Sequence, residues 1–393
     1  MVQKARYHDA DSFEAVLSRM KFEFCGDKNL VERADRVKHT MAALEFPLNN
    51  NQLGVSLCAA YRLENRQHRQ IYSVPAGQGK SRIIVGLIAT LCSTPRPKFT
   101  KFRVVYNHQE LMDADRDKIK NICEGVNATV NFQLPGEGHI KSESGDELII
   151  IDEIDYVLLD CKFVLDKHHN ANCKIIGLTA TAGDEMLPLE RNYIETLMKF
   201  AIHDSGIKPS AADRIKPSYC ELAEFFGEEY DTMGRLIYCD SDNFERIENE
   251  TAPARFANRI HRNVQDLKLL TKIEPGDVFL ISLQSLMRGF DYRCAGGLAL
   301  LICKKVDSER ALRQAFSRVG RYDEDACHRF VLTSLQTLEP IDHEKRCKLV
   351  SNVNYNIQHT GITKKQTQKL KTAAKQPTIA DFIKKSGLNA PRQ

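Results

Sequence analysis

Features that would indicate a membrane-bound or disulfide-bonded protein are missing from this sequence. No apolar run approaches the roughly 20 residues that a membrane-spanning helix needs, and the first residues, Met1 to His8, do not resemble a signal peptide. The chain has 12 cysteines, but no two are spaced Cys-x-x-Cys, the spacing of many zinc and redox sites. These absences predict reduced thiols in an intracellular protein, nuclear or cytoplasmic, with no membrane association.

Charge is distributed unevenly along the chain. The whole sequence of 393 residues carries a formal net charge of +4. Residues 362–393 contain eight Lys or Arg and a single acidic residue, Asp381, so this segment carries +7 and the preceding part carries −3. The segment is either a contact for a polyanion or an acidic surface, or a solvated end of the chain.

Length and patterning predict more than one domain. A chain of this size corresponds to about two or three domains, and strand-like apolar runs alternate with helical stretches in two separate regions. Such alternation is typical of parallel sheets covered by helices, so the predicted fold class is α/β with two tandem parallel-sheet domains. The predicted segments are a helical N-terminal lead-in (1–45), a first domain (46–202), a connection (203–234), a second domain (235–340), and a C-terminal helix with a basic tail (341–393).

The same pattern places the individual elements. Predicted strands in the first domain are 71–74, 102–106, 129–133, 147–151 and 174–178, and those in the second are 235–239, 278–282, 298–303 and 329–333. Predicted helices are 52–64, 80–92, 109–123, 186–202, 243–261 and 308–318.

A glycine-rich loop lies between the first predicted strand and an apolar helix. Gly77 and Gly79 allow backbone angles that turn main-chain N–H groups toward one point. At the start of the helix, Lys80 can reach outer phosphates and Ser81 can bind Mg²⁺. The loop, Ala76-Gly77-Gln78-Gly79-Lys80-Ser81, is therefore predicted to bind the phosphates of a nucleotide, although Val74 stands where the full phosphate-loop pattern has glycine.

A pair of carboxylates follows the most apolar strand. The run from Leu148 to Ile151 is typical of a buried parallel strand, and it ends in Asp152 and Glu153. Ligands of such sheets bind at the carboxyl ends of the strands, where the glycine-rich loop also lies, and we expect that loop to follow a neighbouring strand. We predict that Asp152 holds Mg²⁺ with Ser81, and that Glu153 orients and deprotonates an attacking water.

Two segments of the second domain carry further candidate residues. The first contains Gly289 and Asp291, after the strand predicted at 278–282. The second is a helix end with Arg318 and Arg321 three residues apart, preceded by Gln314. Because a guanidinium group is planar and stays charged, these arginines can stabilise charge on a transferring phosphoryl group of a neighbouring domain.

Taken in order, these segments resemble motifs I, II, III, V and VI of the superfamily 2 DExD/H-box helicases and translocases. The matching segments are Ala76 to Ser81, Asp152 to Asp155, Thr179 to Thr181, Arg288 to Asp291, and Gln314 to Arg321. The resemblance implies two RecA-like lobes that bind ATP and Mg²⁺ between them and grip a polymer. It further implies that Lys80, Asp152, Glu153, Gln314, Arg318 and Arg321 are catalytic, and that the loop residues, Gly289 and Asp291 contact the nucleotide.

Within that superfamily the sequence is similar to SecA-type protein-translocation motors. The similar segments are Val104 to Arg116, Asp152 to Asp160, and Gly296 to Leu298. This similarity implies that Gln52 reads the adenine base.

The basic tail contains a further motif. Gln376, Ile379, Phe382 and Ile383 resemble the PCNA-interacting peptide, Q-x-x-aliphatic-x-x-aromatic-aromatic. The resemblance implies docking on a sliding clamp; the alternative is an amphipathic turn that packs on its own protein.

The sequence therefore predicts an ATP-hydrolysing motor that acts on single-stranded or duplex nucleic acid. Two alternatives remain open: a SecA-like ATPase that acts on polypeptide, and a nucleotide-gated adaptor that is recruited to a sliding clamp.

Overall fold

The computed structural model describes most of the first half of the chain and selected parts of the second. The described residues are 12–20, 28–65, 67–94, 96–135, 147–159, 173–182, 188–207, 217–239, 244–247, 254–256, 258–262, 273–281, 292–303, 315–320 and 327–332.

Three helices precede the first strand: two lie in the predicted helical lead-in, and the third matches the helix predicted at 52–64. They are α1 (Phe13–Arg19), α2 (Lys28–Ala43) and α3 (Asn50–Glu64). Ser12 caps α1 by accepting a hydrogen bond from the Ala15 N–H, and Asn49 with Gln52 forms a capping box at the start of α3. Val16 of α1 packs directly over Gly54, so these helices join the core of the first domain.

The first domain is a parallel sheet of six strands. The strands are β1 (Arg69–Ser73), β2 (Lys101–Val105), β3 (Thr129–Gln133), β4 (Glu147–Asp152), β5 (Lys174–Thr179) and β6 (Ala201–Asp204), in the order β3-β2-β4-β5-β1-β6. The helices are α4 (Lys80–Cys92), α5 (Gln109–Gly125), α6 (Ile154–Leu159) and α7 (Pro188–Asn192), followed by a π-helical turn (Tyr193–Leu197). The five strands that sequence patterning predicts are confirmed to within two residues at each end.

Two expectations about this sheet are wrong. The helix predicted at 186–202 ends early, and Ala201–Asp204 instead pairs with β1 as an edge strand. Its four residues are too few for strand alternation to stand out from helical spacing. The carboxylate strand β4 is also not a neighbour of the loop strand β1, because β5 lies between them.

The second domain is also a six-stranded parallel sheet. Its strands are β7 (Ser218–Cys220), β8 (Gly234–Tyr238), β9 (Ile260–Arg262), β10 (Val278–Ile281), β11 (Leu298–Ile302) and β12 (Cys327–Leu332), in the order β7-β12-β11-β8-β10-β9. Short helices α8 (Leu222–Phe225) and α9 (Phe244–Arg246) and two 3₁₀ turns, Glu228–Tyr230 and Ala254–Phe256, belong to this region.

Three elements of this domain lie in ranges for which the sequence predicts a different structure. Strand β7 and helix α8 lie inside the range predicted as a connection, 203–234, and β9 occupies the end of the helix predicted at 243–261. Short edge strands carry little apolar periodicity, so sequence patterning misses them. The segment boundaries themselves stay a prediction.

Alternating side chains of each sheet build cores on both faces. On β4, Leu148 and Ile150 pack toward α3 and α4, whereas Ile149 and Ile151 pack toward α6. The second sheet divides in the same way, with Leu300 on one face and Leu301 on the other. Burial on both faces explains why these strands are almost wholly apolar. Among the described residues, no helix is both long and apolar enough to span a bilayer.

Candidate nucleotide site

The glycine-rich loop runs from the end of β1 into α4. Gly77 and Gly79 both have a φ of 77°, in the left-handed region that favours glycine. Gly79 is the N-cap of α4 and provides no side-chain cap, so the first N–H groups of the helix are left for an anion. The loop therefore has the backbone geometry of a phosphate site.

Val74 replaces a glycine of the full loop pattern without disturbing the loop. Its side chain is fully buried, and its N–H donates to the Thr179 carbonyl at 2.7 Å. Val74 thus extends the pairing of β1 with β5 by one residue. The turn begins only after it, at Pro75, whose carbonyl accepts from the Gln78 N–H.

Lys80 and Glu153 form an ion pair across the carboxyl edge of the sheet. Glu153 is 1% exposed, and its φ of 50° is unusual for a residue with a side chain. One carboxylate oxygen, Oε1, binds the Lys80 ammonium, while Oε2 is buried without a hydrogen-bond partner. This pair brings together the loop and the acidic segment, as the sequence predicts.

Asp152, the last residue of β4, is a second buried carboxyl group with unused bonding capacity. Its Oδ1 is buried without a hydrogen-bond partner. The pKa of the carboxyl is raised from 3.8 to about 7, chiefly because burial disfavours the charged form. Lys80 opposes this rise, whereas Glu153 and Asp115 add to it. A cation near Asp152 would stabilise its ionised form.

Ser81 is held by a residue that sequence reasoning missed. Its hydroxyl donates to Asp115 Oδ2 at 2.6 Å, and the Tyr106 hydroxyl donates to the same oxygen at 3.1 Å. Asp115 lies on α5, three residues after buried Met112 and four before buried Ile119. A carboxylate on the apolar stripe of an amphipathic helix is a sequence signal for a polar contact inside the protein, but it does not identify the partners.

The segment after β5 contacts the acidic segment directly. Thr179 Oγ1 donates to Asp155 Oδ1 at 2.6 Å, and Thr181 Oγ1 donates to Asp155 Oδ2 at 2.9 Å. All three residues are buried. The contact is possible because β5 lies beside β4, and it fixes α6, which begins directly after Glu153.

Gln52 lies behind the glycine-rich loop. Its side-chain amide donates to the Gln78 carbonyl at 3.1 Å, and its Oε1 accepts from the Asn49 N–H at 3.2 Å. The residue is fully buried. Gln52 therefore links the start of α3 to the loop, and its contact with an adenine base stays a prediction.

Of the candidate site residues in the second domain, Arg318 alone is among the residues that the structure describes. Arg318 lies in a turn in which its N–H donates to the Ala315 carbonyl at 3.1 Å, and it is 4% exposed. The contact of Arg318 with a nucleotide stays a prediction. Gln314, Arg321, Gly289, Asp291, and the tail residues Gln376, Ile379, Phe382 and Ile383 lie outside the described residues.

The first-domain residues fit Mg²⁺ bound together with phosphates. Asp152 Oδ1 and Glu153 Oε2 are buried oxygens without partners, and Ser81 lies at the same edge. Among the described residues, no three His, Cys, Asp or Glu side chains are grouped to hold a metal by themselves. Mg²⁺ usually shares its coordination between one or two carboxylates, water and substrate phosphates.

No protein-family model and no curated protein matches this sequence. Among solved structures, the chain is similar to helicase MrfA bound to DNA and AMPPNP, with a TM-score of 0.50 and 11% identity over 83% of this chain and 56% of that chain. It is also similar to S. cerevisiae Dbp5 bound to RNA and ADP BeF3, with a TM-score of 0.45 and 12% identity over 82% of this chain and 96% of that chain. For Mss116, a DEAD-box helicase bound to ssRNA and UDP-BeF, the TM-score is 0.44 and the identity 13%, over 85% of this chain and 90% of that chain.

The comparison with MrfA bears on the fold alone, because the two sequences are only 11% identical and the chain spans 56% of the length of MrfA. The arrangement of two parallel sheets in series is shared with a helicase. The predicted fold of two tandem RecA-like parallel-sheet domains with a helical N-terminal part is confirmed. The SecA-type similarity and the clamp-binding peptide stay predictions.

Proposed function

We propose that this protein is an ATP-dependent nucleic-acid helicase or translocase of the superfamily 2 type. The observation that carries the proposal is the grouping of Lys80, Ser81, Asp152 and Glu153 at one edge of the first sheet. The fold shared with a helicase whose structure contains DNA and AMPPNP supports both the nucleotide and the nucleic acid. An intracellular location, nuclear or cytoplasmic, is part of the proposal.

The loop and the carboxylates have separate roles in this proposal. Lys80 exchanges its bond to Glu153 for one to the outer phosphates of ATP, assisted by the N–H groups at the start of α4. Ser81 and Asp152 hold Mg²⁺, which when bound neutralises charge on the phosphates. The exchange leaves the Glu153 carboxylate to orient and deprotonate the attacking water.

The second domain completes the site in the proposal. Arg318 and Arg321 stabilise charge on the transferring phosphoryl group, with Gln314 beside them, and Gly289 and Asp291 contact the nucleotide. The buried Asp155–Thr179–Thr181 group ties the acidic segment to the end of β5.

Nucleic acid is bound mainly through its phosphates, so the protein recognises little of the base sequence. The 376–383 motif contacts a sliding clamp.

The role of Glu153 in ATP hydrolysis can be tested by substitution. Glu153→Gln removes the base but keeps the shape of the side chain, so ATP affinity should persist while turnover falls by at least about 100-fold. ATP hydrolysis and binding of a fluorescent ATP analogue are measured with the full chain. Glu124→Gln, an exposed glutamate of α5, is the matched control. Unchanged turnover in Glu153→Gln would contradict the mechanism.

The same assay distinguishes the possible tracks. Hydrolysis by the wild-type chain is compared with single-stranded DNA, RNA or an unfolded polypeptide added. Stimulation by a nucleic acid supports the proposal, and stimulation by polypeptide alone identifies the SecA-like alternative. ATP binding without turnover under all three conditions identifies the nucleotide-gated adaptor.

A further inference from the structure

Asp115 is a carboxylate near the candidate nucleotide site that none of the resemblances assigns a role. Its Oδ2 accepts two hydrogen bonds, from the Ser81 hydroxyl at 2.6 Å and from the Tyr106 hydroxyl at 3.1 Å. The first joins α5 to the beginning of α4, and the second joins α5 to the end of β2. One oxygen of Asp115 therefore connects three elements at the carboxyl edge of the sheet.

Tyr106 provides a fixed second support for Asp115. It directly follows β2, and the pairing of Val105 with Ile151 places it beside Asp152 on the neighbouring strand. Its N–H donates to the Gln133 carbonyl at 3.1 Å, and its ring is stacked near Phe132 at a centroid distance of 6.4 Å. Because Tyr106 is almost fully buried, its hydroxyl gives Asp115 a hydrogen bond that does not depend on Ser81.

The hydrogen bond from Ser81 to Asp115 determines which way the Ser81 hydroxyl is oriented, and so whether its oxygen lone pairs can bind a cation. A serine hydroxyl has one proton and two lone pairs. Since the proton is donated to Asp115, the lone pairs are left to bind a metal ion. Asp152 keeps a buried oxygen, Oδ1, without a partner. The two aspartates thus have different roles: Asp152 supplies a ligand oxygen, and Asp115 orients the serine ligand.

We propose that Asp115 is a positioning residue of the Mg²⁺–triphosphate site, acting through the Ser81 hydroxyl. This inference rests on the proposed function, because it requires Mg²⁺ and a nucleotide to bind at the loop. Groups that orient metal ligands typically change metal affinity by 10- to 100-fold when they are removed. Asp115 should therefore affect Mg²⁺ binding more than it affects nucleotide binding without metal.

The experiment measures Mg²⁺ dependence on the full chain with a fluorescent ADP analogue. Asp115→Leu removes both acceptor oxygens and suits the apolar stripe of α5. It should raise the Mg²⁺ concentration at the midpoint of the titration by 10- to 100-fold, with analogue affinity in EDTA within about twofold of the wild type. Asp115→Asn keeps one acceptor oxygen and should restore most of the Mg²⁺ affinity. If Asp115→Leu does not fold, Asp115→Ala carries the same expectation.

Asp113→Asn is the matched control, because Asp113 lies on the same helix but is exposed and pairs with Arg116. It should leave both affinities unchanged. An unchanged Mg²⁺ midpoint in Asp115→Leu, or an equal loss of affinity with and without Mg²⁺, would overturn the role of Asp115 while leaving the proposed function intact. Failure of the wild-type chain to bind the analogue with Mg²⁺ would overturn both.

Discussion

At the scale of single residues, Asp152 and Glu153 each have an energetically unfavourable feature. Asp152 is buried with one oxygen unpaired, and Glu153 has a left-handed backbone conformation. A non-glycine residue in that region costs on the order of 1–3 kcal/mol. The conformation directs the Glu153 side chain to Lys80 at the junction between β4 and α6. The strained backbone of Glu153 and the burial of Asp152 are therefore energetic costs of placing two carboxylates beside one lysine.

The pKa of Asp152 predicts a measurable effect of pH on stability. Because its pKa is raised from 3.8 to about 7, the folded protein retains a proton that the unfolded chain loses between these values. The contribution of Asp152 to the free energy of unfolding therefore falls as pH rises from about 4 to about 7, and it is constant above that range. Asp152→Asn should lack this dependence.

The measurement is the Tm of both proteins between pH 4 and pH 8, in EDTA and without nucleotide. The wild-type Tm should fall relative to that of Asp152→Asn up to about pH 7 and then stay parallel to it. Parallel curves over the whole range would show that the carboxyl titrates near its ordinary value.

At the scale of secondary-structure elements, β5 determines how the acidic segment is supported. It lies between β4 and β1, with Gly177 paired to Ile151 on one side and to Ile71 on the other. Ile154, the first residue of α6, occupies the space over Gly177, and any Cβ at this position would overlap it. The lack of a side chain at Gly177 therefore lets α6 start directly after Glu153.

Gly177→Ala should destabilise the protein by about 1–3 kcal/mol, because overpacking forces Ile154 to move. The free energy of unfolding is measured in urea for Gly177→Ala, for Ile154→Val and for the double variant. Ile154→Val alone should cost about 0.5–1.5 kcal/mol. The double variant should be more stable than the sum of the two changes indicates, since the smaller side chain makes room. Additive losses would show that the two residues do not compete for space.

At the scale of the whole molecule, residues 1–361 and the tail, residues 362–393, differ in net charge. The two sheets belong to a region of negative net charge, whereas residues 362–393 carry eight Lys or Arg. In the proposed function, electrostatic attraction to the phosphates of a nucleic acid requires basic side chains. The tail has the largest excess of such side chains in the sequence, so we expect it to contact the nucleic acid.

Replacing Lys364, Lys365, Lys369 and Lys371 with Gln should weaken nucleic-acid binding and make it less sensitive to salt. Each lost phosphate contact to a single strand should reduce the slope of log K against log salt concentration by about 0.7. Affinity is measured by fluorescence anisotropy of a labelled oligonucleotide over a range of salt concentrations. Phe382→Ala, which keeps the tail charge, is the control. An unchanged slope would show that the tail does not contact nucleic acid.

Sequence patterning predicts some parts of this molecule well because they depend on local chemistry. The phosphate-binding role of the loop from Ala76 to Ser81 is predicted from its glycines, its lysine and the helix that begins there. The role of Asp152 is predicted from its position directly after a buried strand. Edge strands such as β6 are missed because four residues leave too little periodicity to separate strand from helix. Asp115 is missed because its role depends on partners 34 residues before it and 9 residues before it, Ser81 and Tyr106.

The sequence by itself determined the fold class, the succession of strands and helices, and the residue types that can bind a triphosphate, since these follow from periodicity and side-chain chemistry over short stretches. Tertiary structure alone decided that β5 separates the loop strand from the acidic strand, that Thr179 and Thr181 bind Asp155, and that Asp115 holds Ser81. The physical reason is that the order of strands in a parallel sheet is set by how the crossover helices pack, and this packing joins residues that no local pattern connects.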